Sequence, residues 1–183
     1  MKNNYMKRIL VFMGVALVAT GVMAGSKPIQ LSLTPDIAIF DRTEEIDGLT
    51  IGIWSENPQK ALALGIVNGS TGQSAGLSWA FILNYSDSYK GVQWALINYN
   101  EMDFLGWQSG FVNYTKGSMK GLQTGVVNSA GRLTGLQLGL LNYAAAADSG
   151  VQIGLVNIMP ENRWFTGLPG ELAPGMIIVN WHF

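Results

Sequence analysis

The sequence predicts an all-β protein. The favoured form is an antiparallel up-and-down transmembrane β-barrel of about ten strands; the alternative is a β-solenoid with fifteen-residue coils. Three observations lead there. A unit of about fifteen residues recurs along most of the chain. Small and apolar residues alternate within it at a period of two. Charged residues stand at the ends of the unit and not in its middle.

The unit is clearest at Gly135-Leu136-Gln137-Leu138-Gly139-Leu140-Leu141-Asn142-Tyr143. It returns as Gly91-Val92-Gln93-Trp94-Ala95-Leu96-Ile97-Asn98-Tyr99, Gly121-Leu122-Gln123-Thr124-Gly125-Val126-Val127-Asn128 and Gly150-Val151-Gln152-Ile153-Gly154-Leu155-Val156-Asn157. The leading positions are Gly48, Ala61, Gly76, Gly91, Gly106, Gly121, Gly135 and Gly150, at spacings of 13, 15, 15, 15, 15, 14 and 15. A repeat this regular sets the architecture before any single side chain does. In the last unit Val151, Ile153, Leu155 and Asn157 share one face, and Gly150, Gln152, Gly154 and Val156 share the other. That is the period of a strand. A helix is disfavoured, because two glycines per unit would each cost about 1 kcal/mol relative to alanine.

Composition narrows the class. The chain has 183 residues, which suits one domain. Hydrophobic residues make up 48% and charged residues 13%, against about a quarter charged in an average chain. Such a chain needs a large core or contact with lipid. The body holds no run of eighteen apolar residues, which argues against a helical span. At the amino terminus Lys2, Lys7 and Arg8 precede an apolar run from Ile9 to Val22, closed by Val22-Met23-Ala24. This order reads as a secretory signal peptide over residues 1–24, leaving one β-repeat domain over 25–183. An uncleaved anchor helix is the alternative, for which the run is short. The chain has no cysteine, so disulfides, the commonest zinc sites and lipid attachment at the cleavage site are ruled out. The formal charge of −1 becomes −4 once the three cations Lys2, Lys7 and Arg8 are removed. With no basic stripe, nucleic acid is excluded as a partner.

The expected strands follow in order. Ile29–Phe40 alternates loosely, with Pro35 as a defect suited to an edge. Ile46–Ser55, Gln59–Asn68 and Ser74–Tyr85 come next; the last holds one extra residue, for which a β-bulge is the simplest account. Tyr89–Tyr99, Phe104–Tyr114, Met119–Asn128, Leu133–Tyr143 and Asp148–Ile158 begin two residues before the leading glycine. Large apolar side chains stand there in phase with it: Tyr89, Phe104, Met119 and Leu133. Eleven residues at about 3.3 Å each, tilted roughly 40°, project to about 28 Å, the height of a barrel wall. Four-residue connections such as Asn100-Glu101-Met102-Asp103 suit hairpins. Leu136, Leu138 and Leu140 would then face lipid, and Gly135, Gln137 and Gly139 a narrow lumen. The longest connection, Glu161–Pro174, leads to a final strand, Pro174–Phe183, in which Ile177, Val179, Trp181 and Phe183 share a face.

That ending resembles the terminal strand of Gram-negative outer-membrane β-barrels. The resemblance implies recognition by the barrel-assembly machinery. The units resemble those of bacterial surface-repeat proteins, which read Gly-Leu-Gln-x-Gly-Leu-x-Asn, over roughly Gly48 to Asn157. That resemblance implies a surface or outer-membrane location and no particular activity. Ten strands is an even number, as single-chain bacterial barrels have. Other features favour the solenoid. Trp79 and Trp94 fall near mid-strand, not at the borders of a lipid-facing wall. In a solenoid Gln93, Gln108, Gln123, Gln137 and Gln152 would stack as a ladder, the asparagines likewise, and Leu and Ile would face a dry core.

Few residues carry chemistry. His182 is the only histidine, so a catalytic triad, as in an outer-membrane lipid-modifying enzyme, would have to use it. Glu44-Glu45-Asp47 and Glu101/Asp103 pair carboxylates in the manner of acid–base or calcium sites, but such pairs are more often solvated turn residues. No phosphate-binding or dinucleotide fingerprint occurs in a strand–helix context. The expectation is therefore a non-enzymatic outer-membrane barrel with a structural or narrow-passage role. It has no cofactor, metal or catalytic residue, and its partner is outer-membrane lipid; any small-molecule ligand is left open. The alternative is a solenoid acting as a surface interaction module.

Overall fold

A computed structural model of the protein describes residues 25–183; the expected signal peptide lies outside the described residues. Every regular element among them is a strand: β1 (Lys27–Thr34), β2 (Ile37–Ala38), β3 (Ile46–Asn57), β4 (Leu62–Trp94), β5 (Ile97–Asn100), β6 (Phe104–Ser109), β7 (Val112–Thr124), β8 (Val127–Leu138), β9 (Leu141–Ile158) and β10 (Gly175–His182). They form a single sheet. From β3 to β9 all neighbours are parallel. Antiparallel pairing occurs at the two ends, β1 with β2 and β9 with β10.

This pairing overturns the barrel. A hairpin across Asn100–Asp103 would set Leu105 opposite Asn98. Instead Leu105 pairs with Lys90, and Gly106 with Gly91. The units stack the same way round, as a β-solenoid of about eight turns. The expected eleven-residue strands break near their middles, at Ala95-Leu96, Gly110-Phe111, Gly125-Val126 and Gly139-Leu140. A small residue at each break lets the chain turn a corner, so these coils are each two short strands, while β4 and β9 run on through the equivalent positions without interruption.

The physical reason lies in the amides. In-register stacking places Gln on Gln and Asn on Asn. A hairpin between Phe104–Tyr114 and Met119–Asn128 would have set Gln108 against Gly125 and left its amide without a like partner. In the solenoid Gln93, Gln108, Gln123, Gln137 and Gln152 are fully buried, as are Asn98, Asn113, Asn128 and Asn157. Buried amides are tolerable only when bonded. Gln123 donates to Gln108 at 2.8 Å, Gln137 to Gln123 at 2.7 Å and Gln152 to Gln137 at 2.7 Å. Asn98 donates to Asn113 at 2.8 Å, Asn113 to Asn128 at 2.9 Å and Asn128 to Asn142 at 2.9 Å. The glutamine ladder therefore donates back towards β4 and the asparagine ladder forward towards β10, so the two columns of amide dipoles oppose each other. Second amide protons cross the coil to backbone carbonyls, as from Gln137 to Tyr143 and from Asn128 to Leu138.

The rest of the interior is an apolar column. Tyr89, Phe104, Met119, Leu133, Ala147 and Met159 are buried together, and the Tyr89 and Phe104 rings stack at 6.2 Å. The first four are the side chains expected in phase with the leading glycine; Ala147 and Met159 extend the column. The interior is filled, so the lumen and the narrow-passage role fall with the barrel. The leading glycines do not line a channel; they let coils approach. Gly106 has φ +136°, and a Cβ there would sit 1.9 Å from the Gly91 carbonyl oxygen.

One feature of the solenoid alternative is corrected as well. Leu and Ile do not fill its core: Leu96, Leu140, Leu155 and Ile153 are exposed. A coil of two short strands has room inside for the amide ladders and one apolar column, and the remaining apolar side chains point outward.

The extra residue of the third unit is absorbed at a corner. Leu83 pairs with Ile97 and Asn84 with Asn98, so the surplus falls before Leu83, where Phe81 stands 78% exposed. Both ends of the stack are closed. At the first, Gln30 donates to Asn57 and to the Phe40 carbonyl. At the other, β10 lies antiparallel on β9, and the loop before it folds back so that Asn162, Glu171, Leu172 and Ala173 are buried. Closed ends of this kind protect repeat stacks from end-to-end pairing.

Candidate interaction surface

The residues singled out for chemistry are dispersed and engaged. His182 lies in the β10 closure, with Nδ1 2.7 Å from Asn162 Oδ1 and 3.5 Å from Glu171 Oε2. Glu44 pairs with Lys27 at 3.8 Å, Glu45 pairs with Lys60 at 2.8 Å, and Asp47 accepts from Ser26. These three carboxylates serve neighbouring cations and a hydroxyl and do not converge. Glu101 is bonded to Lys116 and to the Tyr99 hydroxyl, while Asp103 accepts from the Ser118 backbone N–H at 2.8 Å. The Lys116 ammonium and the Tyr99 hydroxyl hold the Glu101 carboxyl below its ordinary pKa, and Lys116 is raised in return. Among the described residues no three His, Asp or Glu side chains are grouped to hold a metal ion.

What the fold assembles is a surface. After each mid-unit small residue stands one apolar side chain, exposed at Ile53, Ile66, Phe81, Leu96, Phe111, Leu140 and Leu155 and half-buried at Val126. Parallel stacking at about 4.8 Å per coil aligns these eight positions into one apolar ridge, roughly 35 Å long. Both flanks are apolar beside it. On one flank Trp79, Trp94, Trp107 and Ile153 are exposed; on the other, Ile82, Ile97, Leu141 and Val156. Ile177 of β10, 69% exposed, continues the apolar surface past Leu155. The second flank then reaches a row of tyrosines, Tyr85, Tyr99, Tyr114 and Tyr143, with the Tyr99 and Tyr114 rings stacked at 5.5 Å. Apart from Glu56, which stands in the row and accepts from the Tyr85 hydroxyl, charges begin beyond it.

The ridge is notched. Where Trp94 gives way to Ser109 in the stack, an open cleft of about 430 Å³ forms between Trp79, Trp94, Phe81, Leu96 and Phe111. Its floor is Ala95 and Gly110. The Trp79 and Trp94 rings meet at 6.5 Å, inclined by 43°. Scattered surface apolar residues are ordinary, but a contiguous patch of this extent marks an interaction site. The sequence signal for it was present: the residue after the mid-unit small residue is apolar in all eight units. No protein-family model, curated protein or solved structure matches the chain.

Proposed function

We propose that the protein is a β-solenoid interaction module of the cell envelope, exported by its amino-terminal segment and docking through the apolar ridge. The observation that carries this reading is the continuity of the ridge over all eight coils. An exposed apolar edge of this length costs free energy in water and is offset only when something covers it. The basic-then-apolar segment ending at Ala24 supports export, and the resemblance to surface-repeat units supports a place at the cell surface. The filled, amide-laddered interior supports a scaffold in which chemistry is left to the outside.

The absence of cysteine makes the test clean. Single variants Leu96→Cys and Phe111→Cys place a thiol on the ridge, and Glu101→Cys places one on the charged edge. Maleimide labelling of the purified protein should modify all three. Labelling in intact envelopes should modify Glu101→Cys at the same rate and the ridge thiols at least ten-fold more slowly. Equal labelling of ridge and charged edge in envelopes would overturn the reading.

A further inference from the structure

We infer that what covers the ridge is the interface of an anionic lipid leaflet, entered edge-on by the tips of the coils. The inference rests on the interaction-module reading and names its partner. The first support is the order of residue types across one coil. Leu96 leads to Ile97, then Tyr99, then Glu101; Phe111 leads to Val112, then Tyr114, then Lys116. Apolar, aromatic-amphipathic and charged side chains succeed one another, as they do with depth through a headgroup region. Three strand residues separate the ridge from the tyrosine row, about 10 Å. That matches the roughly 5–10 Å to which interfacial elements sink.

The second support is shape. The ridge is convex, with apolar flanks falling away on both sides. A single flat protein partner would cover one flank and leave the other wet, whereas lipid closes around both. On the tryptophan flank the charge-free stretch is longer, running from Leu96 back through Trp94 and Val92 to Lys90, so that flank would lie at the shallower angle.

The third support is charge. Lys90 and Lys120 stand at the far rim of the tryptophan flank, exposed and without an ion pair among the described residues. The nearby acids are all engaged: Asp87 accepts from the Gly72 N–H, Asp103 from Ser118, and Glu101 and Asp148 pair with Lys116 and Arg132. Asp87 and Asp103 keep their charge but are tied to backbone N–H groups; the long-stemmed charges at the border of the apolar surface on this flank are the cations Lys90 and Lys120, able to reach lipid phosphates. Six of the twelve acids, Asp36, Asp41, Glu44, Glu45, Asp47 and Glu56, lie in the segment preceding Asn57; of these Asp47 shares the row of Lys60, Lys90 and Lys120, at its first coil, where it accepts from Ser26.

The test uses the purified Leu96→Cys chain carrying an environment-sensitive fluorophore, with Glu101→Cys as reference. Vesicles of phosphatidylcholine mixed with phosphatidylglycerol should shift the Leu96 probe to the blue and brighten it several-fold, leaving the Glu101 probe unchanged. Phosphatidylcholine alone should bind more weakly. Lys90→Ala with Lys120→Ala should weaken binding to the anionic vesicles about thirty-fold, from the worth of two cations near a charged leaflet. A Leu96 probe that ignores both vesicle types overturns the inference. So does one that shifts with protein concentration alone, since the occupant is then a second copy of the chain. If the ridge thiol is protected in envelopes yet blind to vesicles, the module reading stands and the lipid inference falls. If it is protected in neither, both fall.

Discussion

Gln137 donates through Nε2 to Gln123 Oε1 at 2.7 Å and in turn accepts from Gln152 at 2.7 Å. It is a fully buried link with like neighbours on both sides. Gln137→Leu would remove one donor and one acceptor at once. It would leave one N–H of the Gln152 amide, whose other N–H stays on the Ile158 carbonyl, and the Gln123 side-chain oxygen unpartnered in a dry interior, and take one donor from the Tyr143 carbonyl. Each such orphan costs about 1–3 kcal/mol, so the variant should lose about 2–5 kcal/mol, read from the urea midpoint. Gln152→Leu should cost less, because Gln152 Oε1 already lacks a partner.

The stacking glycines make a second prediction. Gly121 has φ +124°, and a Cβ there would meet the Gly106 carbonyl oxygen at 2.1 Å. Neither the dihedral nor the clash can relax without parting two coils. Gly121→Ala should therefore destabilise by more than about 2 kcal/mol. Gly175, at the start of β10, has nothing within 4 Å of such a position. Gly175→Ala should stay within about 0.5 kcal/mol of the parent by thermal melting.

Acid should loosen the β10 end. The Arg163 guanidinium holds the Glu171 carboxyl below its ordinary value. A carboxyl depressed in the folded state lends stability in full above its unfolded pKa, near 4.5. That contribution is lost as the pH falls through the lower folded value. Hydrogen exchange at Leu172 and Phe183, whose backbone N–H groups tie the loop to the last strand, should therefore be slow at neutral pH. Protection relative to the intrinsic exchange rate should fall there below about pH 4, before that of the central coils. Glu171→Gln should flatten that dependence.

Removing one coil is a milder lesion than removing its parts. Deleting residues 106–120 joins Leu105 to Gly121 and brings Gln93 against Gln123 and Asn98 against Asn128. The shortened stack should keep its β-type circular dichroism and melt cooperatively, with stability reduced by one coil interface.

Much of this fold was legible in the residues. The two-residue period marked the strands, the in-phase Tyr89, Phe104, Met119 and Leu133 marked the apolar column, and the repeated Gln and Asn marked the ladders of the solenoid alternative. The direction of neighbouring units was not legible, because alternation along one strand is the same whether the next strand runs parallel or antiparallel. The glycine or alanine before each of Leu96, Phe111, Val126 and Leu140 held the missing information. Taken as a mid-strand residue it extends a membrane-length strand; taken as a corner it halves the strand and turns the chain. The candidate surface was hidden for the same reason. Eight apolar side chains at one phase become a ridge only once coils stack in register, and the solenoid alternative had placed them inside.

Lys90 and Leu105 offer the most direct measurement. They are exposed side chains paired across adjacent parallel coils, at about 4.8 Å between backbones, within disulfide reach. In an antiparallel barrel the same two residues would stand at opposite ends of neighbouring strands, roughly 25 Å apart. The chain has no other cysteine, so Lys90→Cys with Leu105→Cys reports on that pair alone. Rapid, near-complete intramolecular disulfide formation under mild oxidation is the predicted result. Two thiols that stay free, while Asn98→Cys with Leu105→Cys cross-links in their place, would contradict the parallel stack and everything built on it.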